Sequence, residues 1–295
     1  MIVRACVGMV VLLLVVECSA QELTLEVTHR ARSVQPGEVV VLEVRPSELP
    51  LSVRATAFGS PVGFYQDASD GVWRGLIGID LDARPDDYGV AIRATSGQGV
   101  TARATYTLTV AAKEFPTRHL TVAPNFVNPP PDVLDRIQRE AAMQSEIFTT
   151  SSPNRQWAGG FVRPVAGEAS SSFGRRSVYN GEPRSPHSGI DFRSGAGTPI
   201  KAPNAGTVVL AGELYFSGNV VVLDHGWGLY SYFAHLSAID VVEGDVVEQA
   251  QVVGSVGATG RVTGPHLHWT VRLNNARVDP LALMTLFPAD AGLEP

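Results

Sequence analysis

The chain has little cysteine: two residues among 295, Cys6 and Cys18, both within the first twenty positions. If that segment is a leader removed after Ala20, no disulfide can brace the mature protein, whatever the redox state of its compartment. Stability then has to come from non-covalent sources, core burial first among them. A basic surplus is also missing, since 23 Lys and Arg against 29 Asp and Glu leave a net charge of −6. That excludes nucleic acid as the expected partner and gives no attraction to anionic lipid. Tandem repeats and low-complexity tracts are absent. The glycine-rich stretch from 254 to 264 lacks the lysine-serine ending of a phosphate loop, so its glycines are expected to serve tight turns beside a groove.

No apolar run is long enough to cross a bilayer. The longest, Ala5 to Val16, follows a single basic residue, Arg4, and ends in the small residues Cys18-Ser19-Ala20. This is the pattern of a secretory signal peptide over residues 1–20, which predicts an exported protein of the periplasm or cell envelope with no transmembrane segment after cleavage. Lipidation of Cys18 is the lesser alternative, because Glu17 stands where a small residue is wanted.

With 44% hydrophobic and 18% charged residues, the chain has ample material for a core and exceeds the usual size of one domain. The expected fold is mainly β. From 21 to 112, short alternating runs recur at Leu23 to Val27, Val39 to Val44, Leu51 to Ala57, Gly89 to Ala94 and Ala102 to Val110. Turn signals such as Pro36-Gly37 and Ser96-Gly97-Gln98-Gly99 divide them, predicting an antiparallel β-sandwich of immunoglobulin type without its cysteine pair. Residues 113–158 read as a connector. Pro124 and Pro129-Pro130-Pro131 stiffen it and set the modules apart, and Asp132 is expected to cap a helix to about Phe148. His29 and His119 have no partners in sequence and are read as structural or solvated. From 159 to 288 short strands return, among them Gly206 to Leu210, Asn219 to Asp224, Leu229 to His235 and Val252 to Val256.

Five of the seven histidines lie between 187 and 268. In His266-Leu267-His268-Trp269-Thr270-Val271-Arg272-Leu273 the alternation predicts a strand with Leu267, Trp269, Val271 and Leu273 on one face and both histidines on the other. His187 and Asp191 sit four apart where a proline-bearing loop enters the strand Ile190-Asp191-Phe192, and His235 ends another strand. Imidazole and carboxylate suit zinc, and a catalytic zinc needs three protein ligands with one position open. Three of His187, Asp191, His235, His266 and His268 would bind the metal, leaving two imidazoles to move protons. Zinc lowers the pKa of bound water to about 7, so the implied reaction is hydrolysis of an amide or similar acyl bond. No HExxH occurs, which excludes the design in which a helix-borne glutamate is the base. His225, beside Asp224, is assigned a structural hydrogen-bonding role. Arg184 and Arg261, which flank these motifs, could meet carboxylates of a substrate, but solvated surface is the expectation.

Taken in order, Ser172-Phe173-Gly174, His187-Ser188-Gly189-Ile190-Asp191, Gly197-Thr198-Pro199-Ile200-Lys201-Ala202-Pro203, Tyr232-Phe233-Ala234-His235-Leu236, Gly257-Ala258-Thr259-Gly260 and Gly264-Pro265-His266-Leu267-His268 resemble the LytM/lysostaphin family of zinc metallopeptidases. The resemblance implies an antiparallel β domain with an open groove, one zinc held by His187, Asp191 and His268, and catalytic imidazoles at His235 and His266. It further implies cleavage of peptide cross-links in bacterial peptidoglycan. The alternative within the family is a non-catalytic activator of a cell-wall amidase. One departure stands out: relatives often carry glycine before the glutamine where this chain has Ala250. The N-terminal module and the helix from Asp132 to about Phe148 are expected either to dock on a cell-wall partner, such as a regulator protein, or to cover the groove.

Overall fold

The computed structural model describes residues 23–47, 50–67, 70–121, 129–150, 152–170 and 173–289. Both cysteines, with the rest of the expected leader, and also Pro124 and Ser172, lie outside these residues.

Eight strands build the N-terminal module: β1 (Leu25–Ala31), β2 (Val39–Pro46), β3 (Pro50–Ala57), β4 (Ser60–Val62), β5 (Phe64–Gln66), β6 (Trp73–Gly78), β7 (Asp86–Ser96) and β8 (Thr101–Val110). They form two antiparallel four-stranded sheets, ordered β1-β2-β6-β5 and β4-β3-β7-β8. Val40, Leu42, Val44 and Ile77 from one sheet meet Val53, Val90, Ile92 and Leu108 from the other, so the alternation of the sequence closes a sandwich. β2 departs from the expected alternation, being buried at every position from Val39 to Val44. Its even-numbered residues fill the sandwich, while Val39 and Val41, with Leu76 and Leu81, join the core of the C-terminal domain.

The connector does not hold the modules apart. Its strand β9 (Thr117–Leu120) pairs in parallel with β11 (Arg176–Tyr179), which in turn pairs with β12 (Glu182–Arg184). Backbone groups of 117–120 are thereby used in a sheet, which a free spacer would leave to water. The expected helix runs from Leu134 to Thr149, but Asp132 does not cap it. A 3-10 turn at Pro131–Val133 leads in, and no side chain caps either start.

The C-terminal domain continues with β10 (Glu168–Ser170), β13 (Ile190–Arg193), β14 (Pro199–Lys201), β15 (Gly206–Leu214), β16 (Gly218–Asp224), β17 (Leu229–Ile239), β18 (Val246–Val247), β19 (Val252–Val256), β20 (Leu267–Leu273) and β21 (Ala276–Val278). The main sheet is ordered β10-β13-β20-β17-β16-β15-β18, and all its pairings are antiparallel. One face carries Phe192, Phe233, Leu267, Trp269, Val271 and Leu273, packed under the sandwich and a short helix Pro280–Leu286 that the sequence reading missed. Burying each such side chain contributes about 1.5–3 kcal/mol. Over part of the other face lies the connector helix, whose Phe148 packs against Tyr230 and Tyr232. No helix among the described residues is long and apolar enough to cross a membrane.

Candidate active site

Asp191 and His268 are direct cross-strand partners in the β13–β20 ladder, and His268 is opposite Ala234 on β17. Strand alternation thus turns both side chains to the face opposite the buried Leu267 and Trp269. His187 lies in the loop before β13. That loop is latched by backbone hydrogen bonds, with His187 N donating to the Arg175 carbonyl at 3.0 Å and Gly174 N donating to the His187 carbonyl at 2.8 Å. Gly189 lets the loop pass close over β20, since a Cβ there would lie 2.3 Å from the Trp269 carbonyl oxygen.

The resulting cluster is tight. Asp191 Oδ1 is 3.0 Å from His187 Nε2 and 2.9 Å from His268 Nδ1. One donor atom from each of His187, Asp191 and His268 lies within 4.8 Å of the others. Thr270, two residues along β20 and on the same face, has its hydroxyl 3.0 Å from His268 Nε2. A hydroxyl both donates and accepts, so Thr270 satisfies His268 whether Nδ1 carries a proton or offers its lone pair to a cation. The sequence reading missed Thr270, although its i+2 spacing from His268 was the available signal.

His235 and His266 flank the cluster with ring centroids 5.0 Å apart. β17 does not end at His235, as expected, but runs on to Ile239. His235 sits at an irregularity in the β16–β17 register with φ of 68°, a left-handed conformation that turns it out of the ladder toward the cleft. Its Nδ1 lies 2.9 Å from the Thr259 carbonyl, and His266 Nδ1 lies 2.9 Å from the Gly264 carbonyl. A carbonyl can only accept, so Nδ1 is the protonated nitrogen in both rings and each Nε2 keeps its lone pair. His266 Nε2 is 3.9 Å from Asp191 Oδ1.

The profile of peptidase family M23 matches residues 185–280, the stretch that carries all five side chains. A crystal structure of a peptidase M23 from Pseudomonas aeruginosa superposes with a TM-score of 0.69 at 37% identity, covering 86% of this chain and 96% of that one. The chain belongs to peptidase family M23. Curated relatives match over shorter stretches. DD-carboxypeptidase/endopeptidase Mpg of Neisseria meningitidis is 41% identical over 97 residues, 33% of this chain and 22% of its own length. Peptidoglycan DD-endopeptidase ShyA of Vibrio cholerae is 38% identical over 113 residues, 38% of this chain and 26% of its own. This chain thus spans about a quarter of the curated relatives it matches.

Within this M23 domain the electrostatics keep Asp191 anionic. Burial alone would raise its carboxyl, but hydrogen bonds and attraction from His187 and His268 outweigh it and hold the group well below the usual carboxylate range. Burial, and then the proximity of His268, pushes His235 down to about 4, so it stays neutral near pH 7. His225, by contrast, stands apart from the cluster. It is fully buried, with Nδ1 2.7 Å from the Ala205 carbonyl and Nε2 2.9 Å from the Ser231 hydroxyl, as expected of a structural residue. His119 is exposed on β9. Arg184 and Arg261, expected on open surface, instead line the cleft in front of the cluster.

Proposed function

We propose that this chain is an exported zinc endopeptidase that hydrolyses peptide cross-links of bacterial peptidoglycan, with His187, Asp191 and His268 as metal ligands and His235 and His266 as catalytic residues. The observation that carries the reading is the convergence of two imidazoles and one carboxylate on a single point beside two further imidazoles whose Nδ1 atoms face backbone carbonyls, so that each Nε2 keeps its lone pair. Two nitrogen donors and one hard oxygen donor fit zinc and leave a coordination position for a reactant. When bound, the ion supplies Lewis acidity that makes water nucleophilic near neutral pH.

The chain's own groups account for the rest of the reaction. His235, whose Nδ1–H is tied to Thr259 and which resists protonation, accepts a hydrogen bond from the attacking water and orients it. His266 takes the proton that the water releases on attacking the carbonyl carbon, then returns it through Nε2 to the departing amine nitrogen. Thr270 fixes the His268 ring. The substrate class is supported by the printed activities of the relatives from Neisseria and Vibrio, and export by the apolar leader. A non-catalytic activator role fits less well, because such a role needs neither an intact ligand set nor the paired imidazoles.

Chelation is expected to abolish hydrolysis of purified peptidoglycan, and zinc to restore it. His268→Ala should fail to retain metal. His266→Ala should retain it while losing about 100-fold or more in turnover. Normal cleavage by His266→Ala would remove that residue from the mechanism, and full activity of the chelated protein would remove the metal.

A further inference from the structure

The groove opposes the charge of the chain that forms it. Two adjoining cavities of about 650 and 430 Å³ meet at His187 and Asp191, within a protein of net charge −6. Arg118, Arg175 and Arg261 line both; Arg184 lines one alone, and Arg193 and Arg272 the other alone. Asp191 is the sole carboxylate among the lining residues of either cavity, and it is engaged by the histidines.

Other arginines of this molecule are spent on carboxylates. Arg32 grips Glu38 and Asp279, Arg277 grips Asp80 and Asp82, and Arg176 turns away from the groove to Asp82. In the groove, Arg184 pairs with Glu182, whereas Arg118, Arg175, Arg193 and Arg272 have no carboxylate within 4.0 Å among the described residues. Several are nonetheless held in place. Arg118 Nε donates to the Ser177 hydroxyl at 3.0 Å, Arg261 lies 4.2 Å over the Phe216 ring, and an Nη of Arg272 donates to the Asn275 carbonyl at 2.9 Å. Tyr232, which lines the same groove, is only 6% exposed. Positive, partly preorganised and with four arginines, Arg118, Arg175, Arg193 and Arg272, that have no carboxylate partner among the described residues, this lining suits an anionic ligand.

We infer that the groove selects peptides bearing free carboxylates on both sides of the bond to be cut, with Arg175 and Arg184 reading one side and Arg193 and Arg272 the other. The inference rests on the peptidase reading and gives that substrate its charge. A guanidinium fork matches a carboxylate in bidentate geometry, so acidic peptides gain both affinity and register. A nucleic-acid strand would answer the same charge, but the histidine–aspartate cluster on the groove floor belongs to a peptidase domain, which favours a peptide.

The test uses the full chain, stripped of metal, and fluorescence anisotropy with two labelled peptides that differ only in whether their glutamate carboxylates are free or amidated. The free-acid peptide should bind about tenfold or more tightly, an advantage that shrinks as salt rises from about 0.05 to about 0.5 M. Arg175→Gln and Arg193→Gln should each cut the advantage about three- to tenfold, and Arg175→Lys, which keeps the charge but not the fork, should fall between. In the zinc-loaded enzyme the same variants should raise KM more than they lower kcat. Equal binding of the two peptides, or competition by an oligonucleotide as effective as by the acidic peptide, overturns the inference. Preferential binding without hydrolysis of any peptide by the zinc-loaded protein sinks the peptidase reading alone.

Discussion

His225 carries none of the chemistry of its neighbours, yet acid reaches the fold through it. Burial pushes its imidazole from 6.5 down to about 4, because the ring is sealed between the Ala205 carbonyl and the Ser231 hydroxyl with no room to hydrate a charge. A depressed imidazole pKa means that the unfolded chain binds the proton first. Its contribution is therefore complete above pH 6.5 and is lost as pH falls from there toward 4, by about 3 kcal/mol in all. Denaturant titrations across that window should show a shallower acid dependence for His225→Asn than for the parent chain; identical slopes would mean that His225 is not the group responsible. At this scale the sequence was most readable where chemistry is local, since His187, Asp191, His266 and His268 announce themselves by spacing. The groove arginines do not, because Arg118, Arg175, Arg193 and Arg272 lie on segments that only folding brings together.

Among the elements, the turn before β19 shows what one substitution of a turn residue costs. Ala250, at a position where the family resemblance led to an expectation of glycine, has a backbone φ of 65° while its N–H donates to the Ala202 carbonyl at 2.9 Å. An L-residue in that conformation pays roughly 1–2 kcal/mol in steric strain, partly offset by the smaller entropy loss of alanine on folding. Ala250→Gly should raise stability by about 0.5–1 kcal/mol, read as a higher denaturant midpoint at unchanged slope; a lower midpoint would show that the strain is not there. Long strands such as β17 and β20 were visible in the sequence, because many alternating residues agree on one period. β4 and β5 were not, since three residues hold too little pattern. The Pro280–Leu286 helix was likewise hidden: its seven residues are too few to display a stripe, although Asp279 caps it by accepting from Leu281 N.

For the whole molecule, the decisive feature is that the sandwich lies behind the sheet that carries the histidine–aspartate cluster, and none of its described residues lines the groove. The sandwich therefore does not cover the cleft among the described residues, whereas Gln144 and Phe148 of the connector helix do line it, and the expectation of an independent module meets a shared core. Val39, Val41, Leu76 and Leu81 pack with C-terminal residues, Arg277 binds Asp80 and Asp82, and a Cβ on Gly78 would come within 2.9 Å of the Leu273 carbonyl oxygen. A chain starting near residue 113 should consequently melt lower than the full protein and bind a hydrophobic dye, having exposed what those four side chains cover. An unchanged melting temperature would make the interface incidental. This arrangement escaped the sequence because a strand buried on both faces, like β2, does not disclose that its two faces meet different domains.

Asp191 and His268 share one rung of the β13–β20 ladder, so the separation of two proposed ligands is inherited from backbone hydrogen bonding and not from loop placement. Inserting or deleting one residue in either strand would swing a ligand into the hydrophobic interior and abolish the cluster outright. Changes of length should therefore be tolerated in the loops of this domain, where they can reshape what enters the groove while the spacing of these two groups stays constant.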